Sequence, residues 1–254
     1  MSPLIHLSYQ VQADTDVQLD CGDVPVSPFD SAIAIRQIKA AYSSMLNHPV
    51  ANPGKMAELG MAKGLDGEYH PRVIALGGDH TIVRPLLSPT ATMTDRQVLP
   101  ILGALSEVYG PVSVIHLDAH IDTWNPDRYY GSVSLQAGVN HGTFFWHAYE
   151  AGYIKTNSSI HAGIRTKFSV CPPFWIPQPA DRQGPTDLED DVTAGFDLIS
   201  TWDLDEHGVD WITKKIKQRV GTGPVVISLD VDVMDPSMVP ASMSPLWYSP
   251  IPTV

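Results

Sequence analysis

The 254-residue chain has little cysteine and no long apolar run. Its two cysteines, Cys21 and Cys171, form no short-spaced metal or redox motif, so the sequence does not suggest a disulfide framework. No stretch is apolar enough to predict a membrane span, which argues against a membrane protein. The N-terminus has neither the basic region nor the apolar core of a signal peptide, so we expect a cytoplasmic protein.

Positive charge is also scarce. Lysine and arginine together number 16 against 28 acidic residues, and the resulting net charge of −12 argues against nucleic acid or an anionic membrane as a partner. The shortage is local as well, because no Lys or Arg lies between Arg96 and Arg128 and none follows Arg219. Carboxylates clustered in these two stretches would repel one another and take up protons.

The sequence does contain three largely apolar runs that each lead into acidic residues or histidines. These runs cover residues 73–76, 114–117 and 225–229. Alternate residues of an extended chain point to one face, and the carboxyl ends of parallel strands meet at one edge of a sheet. We therefore expect three strands to bring the following side chains to one edge: His80, Asp118, His120, Asp122, Asp230 and Asp232.

A divalent metal ion would compensate the charge of this cluster. Carboxylate oxygens with a minority of imidazoles suit Mn or Mg, and they suit Zn less well. Any one of these aspartates, taken alone, is more simply explained as a turn residue after a strand. The metal prediction depends on the three motifs together.

The apolar periodicity predicts an alternation of strands and helices with no repeat and no linker. This alternation favours a single α/β domain over residues 1–254, with three layers and a mostly parallel sheet. The clearest predicted helices cover residues 28–47 and about 206–220, and the clearest strands cover 159–164 and 196–200.

Three stretches do not follow this alternation. Residues 1–27 are polar, and we predict that they are irregular. Residues 88–102 predict a loop with part of a helix, whereas the Pro-rich, acidic residues 171–191 predict an exposed and mobile loop.

The ordered motifs at 77–80, 118–122 and 228–236 resemble the metal motifs of the ureohydrolases, the family of arginase and agmatinase. Residues 140–146 are most similar to the agmatinase and guanidinobutyrase branch. The resemblance covers about residues 20–245 and implies an arginase-like αβα fold that lacks the first and last elements of the family. Residues 246–254 then form a divergent tail.

The resemblance also implies how the site is used. Two manganese ions would be bridged by Asp118 and Asp230, and such a pair activates a water molecule for attack on a guanidinium carbon. Asp122 would steer the proton of this water, and His141 would move protons or help to bind the substrate. The remaining ligands would be His80 and Asp122 on one ion and His120 and Asp232 on the other.

The implied reaction releases urea and an amine from a small guanidino compound. Agmatine is the first expected substrate and 4-guanidinobutanoate the alternative. Leu246 occupies the position of a glutamate that binds the guanidinium in the family, so a catalytically impaired metal-binding homologue is a second hypothesis. Deacetylases of similar sheet topology fit the paired motifs less well. The family further implies a homo-oligomer, a trimer or hexamer.

Overall fold

The computed structural model describes residues 4–12, 16–27, 31–77, 98–127, 138–166, 187–235 and 237–239. The strands in these ranges are β1 Leu4–Gln12, β2 Asp16–Pro25, β3 Arg72–Leu76, β4 Ser113–Leu117, β5 Ser159–Ile164, β6 Phe196–Ser200 and β7 Val225–Leu229. The helices are α1 Ser31–Leu46, α2 Pro53–Glu58, α3 Val98–Tyr109, α4 Phe144–Glu150, α5 Asp187–Thr193 and α6 Thr201–Val220.

Four of the strands form a parallel sheet in the order β6-β5-β4-β7. β4 is a central strand of this sheet, and its residues Val114 and His116 are fully buried. Because neighbouring parallel strands end at the same edge, the segments that follow β4 and β7 emerge side by side.

Helices cover both faces of the parallel sheet. On one face, α3 and α4 pack on β4 and β6 through a core of Leu102, Val114, Phe144, Phe145 and Phe196. On the other face, α6 packs on β4, β5 and β6 through a cluster that includes Ile115, Ile160, Ile199, Ile212 and Ile216. The three-layer α/β architecture expected from the sequence is therefore confirmed.

The remaining strands form a separate antiparallel sheet in the order β2-β1-β3. The prediction that residues 1–27 are irregular is wrong, because β1 and β2 pair as a hairpin. Leu7, Tyr9 and Val11 alternate with polar residues in β1, which is the period of a strand. This pattern is short and is surrounded by polar sequence, so the prediction missed it.

The hairpin also pairs with β3, the strand that precedes the motif at 77–80. β3 pairs antiparallel with β1, with Leu76 opposite His6, and not with β4 or β7. The expectation that all three motif strands share one sheet is therefore wrong for β3 within the described residues. α3 connects the two sheets, because its residue Ile101 packs with α1 while Leu102 packs on the parallel sheet.

The predicted strands at 159–164 and 196–200 and the first predicted helix are confirmed. The predicted helix at about 206–220 is the second part of α6, which begins at Thr201 and is kinked at Gly208. No helix in the described ranges is both long enough and apolar enough to cross a membrane.

The acidic loop predicted at 171–191 needs a correction at its end. Residues 187–193 form α5, and Asp190 and Asp191 are buried, which contradicts the prediction of an exposed loop there. Acidic residues are favoured in the first turn of a helix because they interact well with its dipole. Residues 171–186 lie outside the described residues.

Candidate metal centre

Two acidic segments meet at the carboxyl end of the parallel sheet. Residues 118–122 follow β4, and residues 230–232 follow β7. The two strands pair in register with Leu117 opposite Leu229. The backbone N–H of Asp230 donates to the carbonyl of Leu117 at 2.9 Å, which extends the pairing into the two segments.

The ring of His120 joins these segments. Its Nδ1 lies 3.3 Å from Oδ1 of Asp118 and 3.0 Å from Oδ2 of Asp232. The backbone N–H of Ala119 donates to Oδ1 of Asp232 at 3.1 Å, which holds this carboxylate against the segment after β4. One ligand atom from each of Asp118, His120 and Asp232 lies within 4.8 Å of the others, a spacing that a cation can bridge.

A second group of potential ligands shares Asp118. Nε2 of His116 lies 3.0 Å from Oδ2 of Asp118 and 4.0 Å from Oδ2 of Asp122, and all three side chains are buried. The sequence prediction omitted His116. It lies two residues before Asp118 on the same face of β4, and this alternation was the signal that could have identified it.

Asp230 fixes the turn that carries Asp232. It is buried and precedes the short 3-10 turn Val231–Val233. Its Oδ1 accepts a hydrogen bond of 2.8 Å from the backbone N–H of Asp232. This side-chain cap sets the direction in which the chain leaves β7.

The pKa values in the site are shifted strongly. Burial lowers the pKa of His120, but hydrogen bonds to Asp118 and Asp232 outweigh burial and raise the pKa to about 10. Burial and three nearby carboxylates raise the pKa of Asp122. Burial also raises the pKa of Asp118, but the charge of His116 and hydrogen bonds from both histidines bring it below its usual range. The carboxylates of this site therefore lie close enough to shift the pKa of Asp122 and that of His120.

His141 lies in the turn before α4. Two backbone hydrogen bonds join this turn to the segment after β4, one from Trp124 N–H to the carbonyl of Gly142 at 2.8 Å and one from Phe145 N–H to the carbonyl of Asp122 at 3.2 Å. A Cβ at Gly142 would lie 2.0 Å from the ring of Trp124, so a residue with a side chain would disturb this junction. The turn of His141 therefore adjoins the Asp122 segment.

The end of β5 and the residue after it support the segment after β7, through residues that the sequence prediction did not identify. The guanidinium of Arg165 donates to three successive carbonyls, those of Asp232, Val233 at 3.2 Å and Met234 at 3.4 Å. Gly163 has a φ of +102°, and a Cβ there would lie 2.4 Å from Cγ2 of Val233. Only glycine combines this backbone conformation with so close an approach.

His80 lies outside the described residues, as do Leu246 and the tail 246–254. β3, which leads towards His80, ends at Leu76. The predicted site residues that the structure brings together are Asp118, His120, Asp122, Asp230 and Asp232.

The donor set fits a divalent cation. Carboxylate oxygens with a few imidazole nitrogens are ligands that Mn²⁺ accepts well. The two groups, Asp118–His120–Asp232 and His116–Asp118–Asp122, have one carboxylate in common. Two cations bridged by a shared carboxylate are a common arrangement in metal-dependent hydrolases.

Fold and site together define an α/β protein with a candidate metal centre at the carboxyl ends of parallel strands. The chain belongs to the Arginase family, whose sequence profile matches residues 3–247. The resemblance inferred from the three motifs is therefore confirmed.

Similar proteins come from the agmatinase branch. The chain is 40% identical over 227 residues to "Putative agmatinase 1" of Schizosaccharomyces pombe and 28% identical over 228 residues to an agmatinase of Neisseria gonorrhoeae. These alignments cover 89% and 90% of this chain but 49% and 52% of those proteins. The chain thus spans about half the length of the curated relatives it matches.

Among solved structures, the chain is similar to the proclavaminate amidino hydrolase of Streptomyces clavuligerus. The TM-score is 0.55 with 25% sequence identity, and the match covers 87% of this chain and 54% of that protein. This likeness agrees with the arginase-like fold expected from the motifs.

Proposed function

We propose that the chain is a binuclear manganese ureohydrolase of the agmatinase type, which cleaves a small guanidino compound to urea and an amine. The observation that supports it best is the double role of Asp118. Asp118 belongs to both groups of potential ligands, with His120 and Asp232 in one and with Asp122 in the other. His116, the third member of the second group, lies 3.0 Å behind Oδ2 of Asp118 and is not one of the proposed ligands. Asp118 would therefore help to hold both ions of a two-metal site.

The proposed ligands of the ions are those expected from the sequence: His80, Asp118, His120, Asp122, Asp230 and Asp232. When bound, a pair of divalent ions lowers the pKa of a water molecule towards neutrality, so that it can attack an unreactive carbon. Asp122 is the proposed acceptor of the proton from the attacking water. His141, on the turn that adjoins the Asp122 segment, is the proposed residue that passes a proton to the leaving amine or orients the substrate.

Agmatine is the proposed substrate, and 4-guanidinobutanoate is the alternative. The names of the similar proteins from S. pombe and N. gonorrhoeae support the first choice. The net charge of −12 also favours a cationic ligand over an anionic one. A homo-oligomer, as the family implies, is part of the same proposal.

A second candidate function is metal binding without efficient hydrolysis. It is favoured by Leu246, because an aliphatic side chain cannot form the charge-assisted hydrogen bonds by which a carboxylate binds a guanidinium. Losing such a partner typically removes a few kcal/mol of binding, or about 10²-fold in affinity.

One experiment separates the two candidates. The full chain is stripped with a chelator, reloaded with Mn²⁺, and tested for bound metal and for urea release from agmatine, 4-guanidinobutanoate and arginine. Asp230→Asn serves as the variant that should lose metal. Urea released from agmatine by the wild type alone supports the first function, and metal binding without urea supports the second. A wild type that retains no more metal than Asp230→Asn contradicts both.

A further inference from the structure

A chain of buried polar side chains extends from Asp118 into the core. Nε2 of His116 lies 3.0 Å from Oδ2 of Asp118, and Nδ1 of His116 lies 2.8 Å from Nδ1 of His161. Nε2 of His161 lies 2.9 Å from Oδ1 of Asp191, which also accepts a hydrogen bond of 2.6 Å from the Thr123 hydroxyl. We call His116, His161, Asp191 and Thr123 the buried polar chain.

Apolar rings surround the two histidines of this chain. The ring of His161 stacks on Phe196 with centroids 4.1 Å apart, and Phe145 packs edge-on against His116 at 4.8 Å. Polar groups in such a place are costly unless they are hydrogen-bonded. Both nitrogens of each imidazole have a close polar neighbour, so the rings can adopt few other orientations.

The buried polar chain returns to the candidate metal centre at its far end. Thr123 directly follows Asp122, whose φ of +54° is uncommon for a residue other than glycine. A hydrogen bond of 3.2 Å from Phe145 N–H to the Asp122 carbonyl holds the same backbone. The buried polar chain therefore begins next to the carboxylate of Asp118 and ends next to the residue Asp122.

We propose that the buried polar chain positions the carboxylates of Asp118 and Asp122 and thereby sets the affinity of the site for a divalent metal. This inference rests on the metal site of the proposed function. Hydrogen-bond partners behind metal ligands orient those ligands, and losing one typically lowers metal affinity by about 10- to 100-fold. All four residues of the buried polar chain act as positioning residues, because they are not proposed ligands and work through Asp118 and Asp122.

The main test is His161→Phe in the full chain. Phenylalanine keeps a ring that can stack on Phe196 and removes both nitrogens. Calorimetric titration of the chelator-treated protein with Mn²⁺ should show about 10- to 100-fold weaker binding than in the wild type. His161→Gln, which can both donate and accept a hydrogen bond, should restore part of the lost affinity.

A second variant tests Thr123, at the other end of the buried polar chain. Thr123→Val has nearly the same shape and removes only the hydroxyl that donates to Asp191. We expect weaker Mn²⁺ binding here too, with a smaller change than in His161→Phe. This variant also provides the answer if the phenylalanine variant does not fold.

Ser113→Ala is the matched control. Ser113 is buried at the opposite end of β4, where its hydroxyl donates to the Ser158 hydroxyl at 2.9 Å. Its removal should lower the melting temperature of the metal-free protein and leave the Mn²⁺ affinity unchanged.

Two results would overturn the positioning role while the proposed metal site stands. One is wild-type Mn²⁺ affinity in both His161→Phe and Thr123→Val, and the other is an equal loss of affinity in Ser113→Ala. A wild-type chain that binds no Mn²⁺ would overturn the proposed metal site itself, and the positioning role with it.

Discussion

β4 and β7 lie side by side and lead into similar acidic segments, but their surroundings differ. Asp118 after β4 and Asp230 after β7 are both buried. On the other face of the sheet, Ile115 of β4 packs against the cluster under α6, whereas its register partner Ile227 on β7 is 67% exposed. The first aspartate after each strand is thus equally well buried, whereas the opposite face of the sheet is covered at β4 and exposed at β7.

The two sides of the site are also supported in different ways. The segment after β4 is held by the buried polar chain and by backbone hydrogen bonds to the turn before α4. The segment after β7 is held mainly through its backbone, by the guanidinium of Arg165 and the close approach of Gly163. We therefore expect the ligands on the β4 side, which include the shared Asp118, to contribute more to metal binding.

The largest expected effect compares one carboxylate from each side. Asp118 belongs to both groups of potential ligands and Asp232 to one. Asp118→Asn should therefore abolish Mn²⁺ binding, whereas Asp232→Asn should leave about half of the bound metal, because one of two bridged positions keeps its other ligands. Metal content after dialysis, measured by atomic spectroscopy, gives the comparison.

Asp235→Asn is the control for these two variants, since Asp235 is exposed and lies in the same segment as Asp232. It should bind as much Mn²⁺ as the wild type. Equal losses in Asp118→Asn and Asp232→Asn would show that the two sides contribute equally, against the inferred difference.

A smaller effect is expected on stability from the paired isoleucines. Ile115→Ala removes packing beneath α6 and should lower the free energy of unfolding by about 2 kcal/mol. Ile227→Ala removes an exposed side chain and should change it by less than about 0.5 kcal/mol. Thermal and chemical unfolding of the metal-free variants, followed by circular dichroism, measures both. If both variants lost a similar free energy of unfolding, the face of β7 that carries Ile227 would be covered in solution.

The sequence predicted the elements whose signal is local. β4, β5, β6, β7 and α1 each carry an apolar period, and the acidic residues follow β4 and β7 at alternate positions. The parallel order of these strands then followed from their alternation with helices. The ligand positions after β4 and β7 were predictable for this reason.

The sequence did not predict features that depend on distant partners. Asp191 was assigned to an exposed loop because its burial depends on His161 and Thr123, which lie 30 and 68 positions away. Arg165 was not linked to the site, since its acceptors are backbone carbonyls 67 to 69 positions away. The pairing of β3 with β1 depends likewise on a hairpin that the polar composition obscured.

The smallest expected effect concerns the start of α6. This helix covers the face of β4 that carries Ile115 and leaves Ile227 of β7 exposed. Ser200 and Asp203 form a capping box, in which the Asp203 side chain accepts from the Ser200 backbone N–H at 2.7 Å. The hydrogen bond from the Ser200 hydroxyl is the main cause that lowers the pKa of Asp203. A carboxyl whose pKa is lower in the folded state stabilises the protein above its unfolded pKa, near 4, and this contribution is lost as the pH falls through the folded value.

Asp203→Asn should therefore lower the free energy of unfolding by less than about 1 kcal/mol at pH 7, and the difference from the wild type should shrink in acid. Asp205→Asn, exposed two residues further along the helix and outside the capping box, is the control. A difference between wild type and Asp203→Asn that stays constant from pH 7 to about pH 3 would show that the charge of Asp203 does not stabilise the helix start.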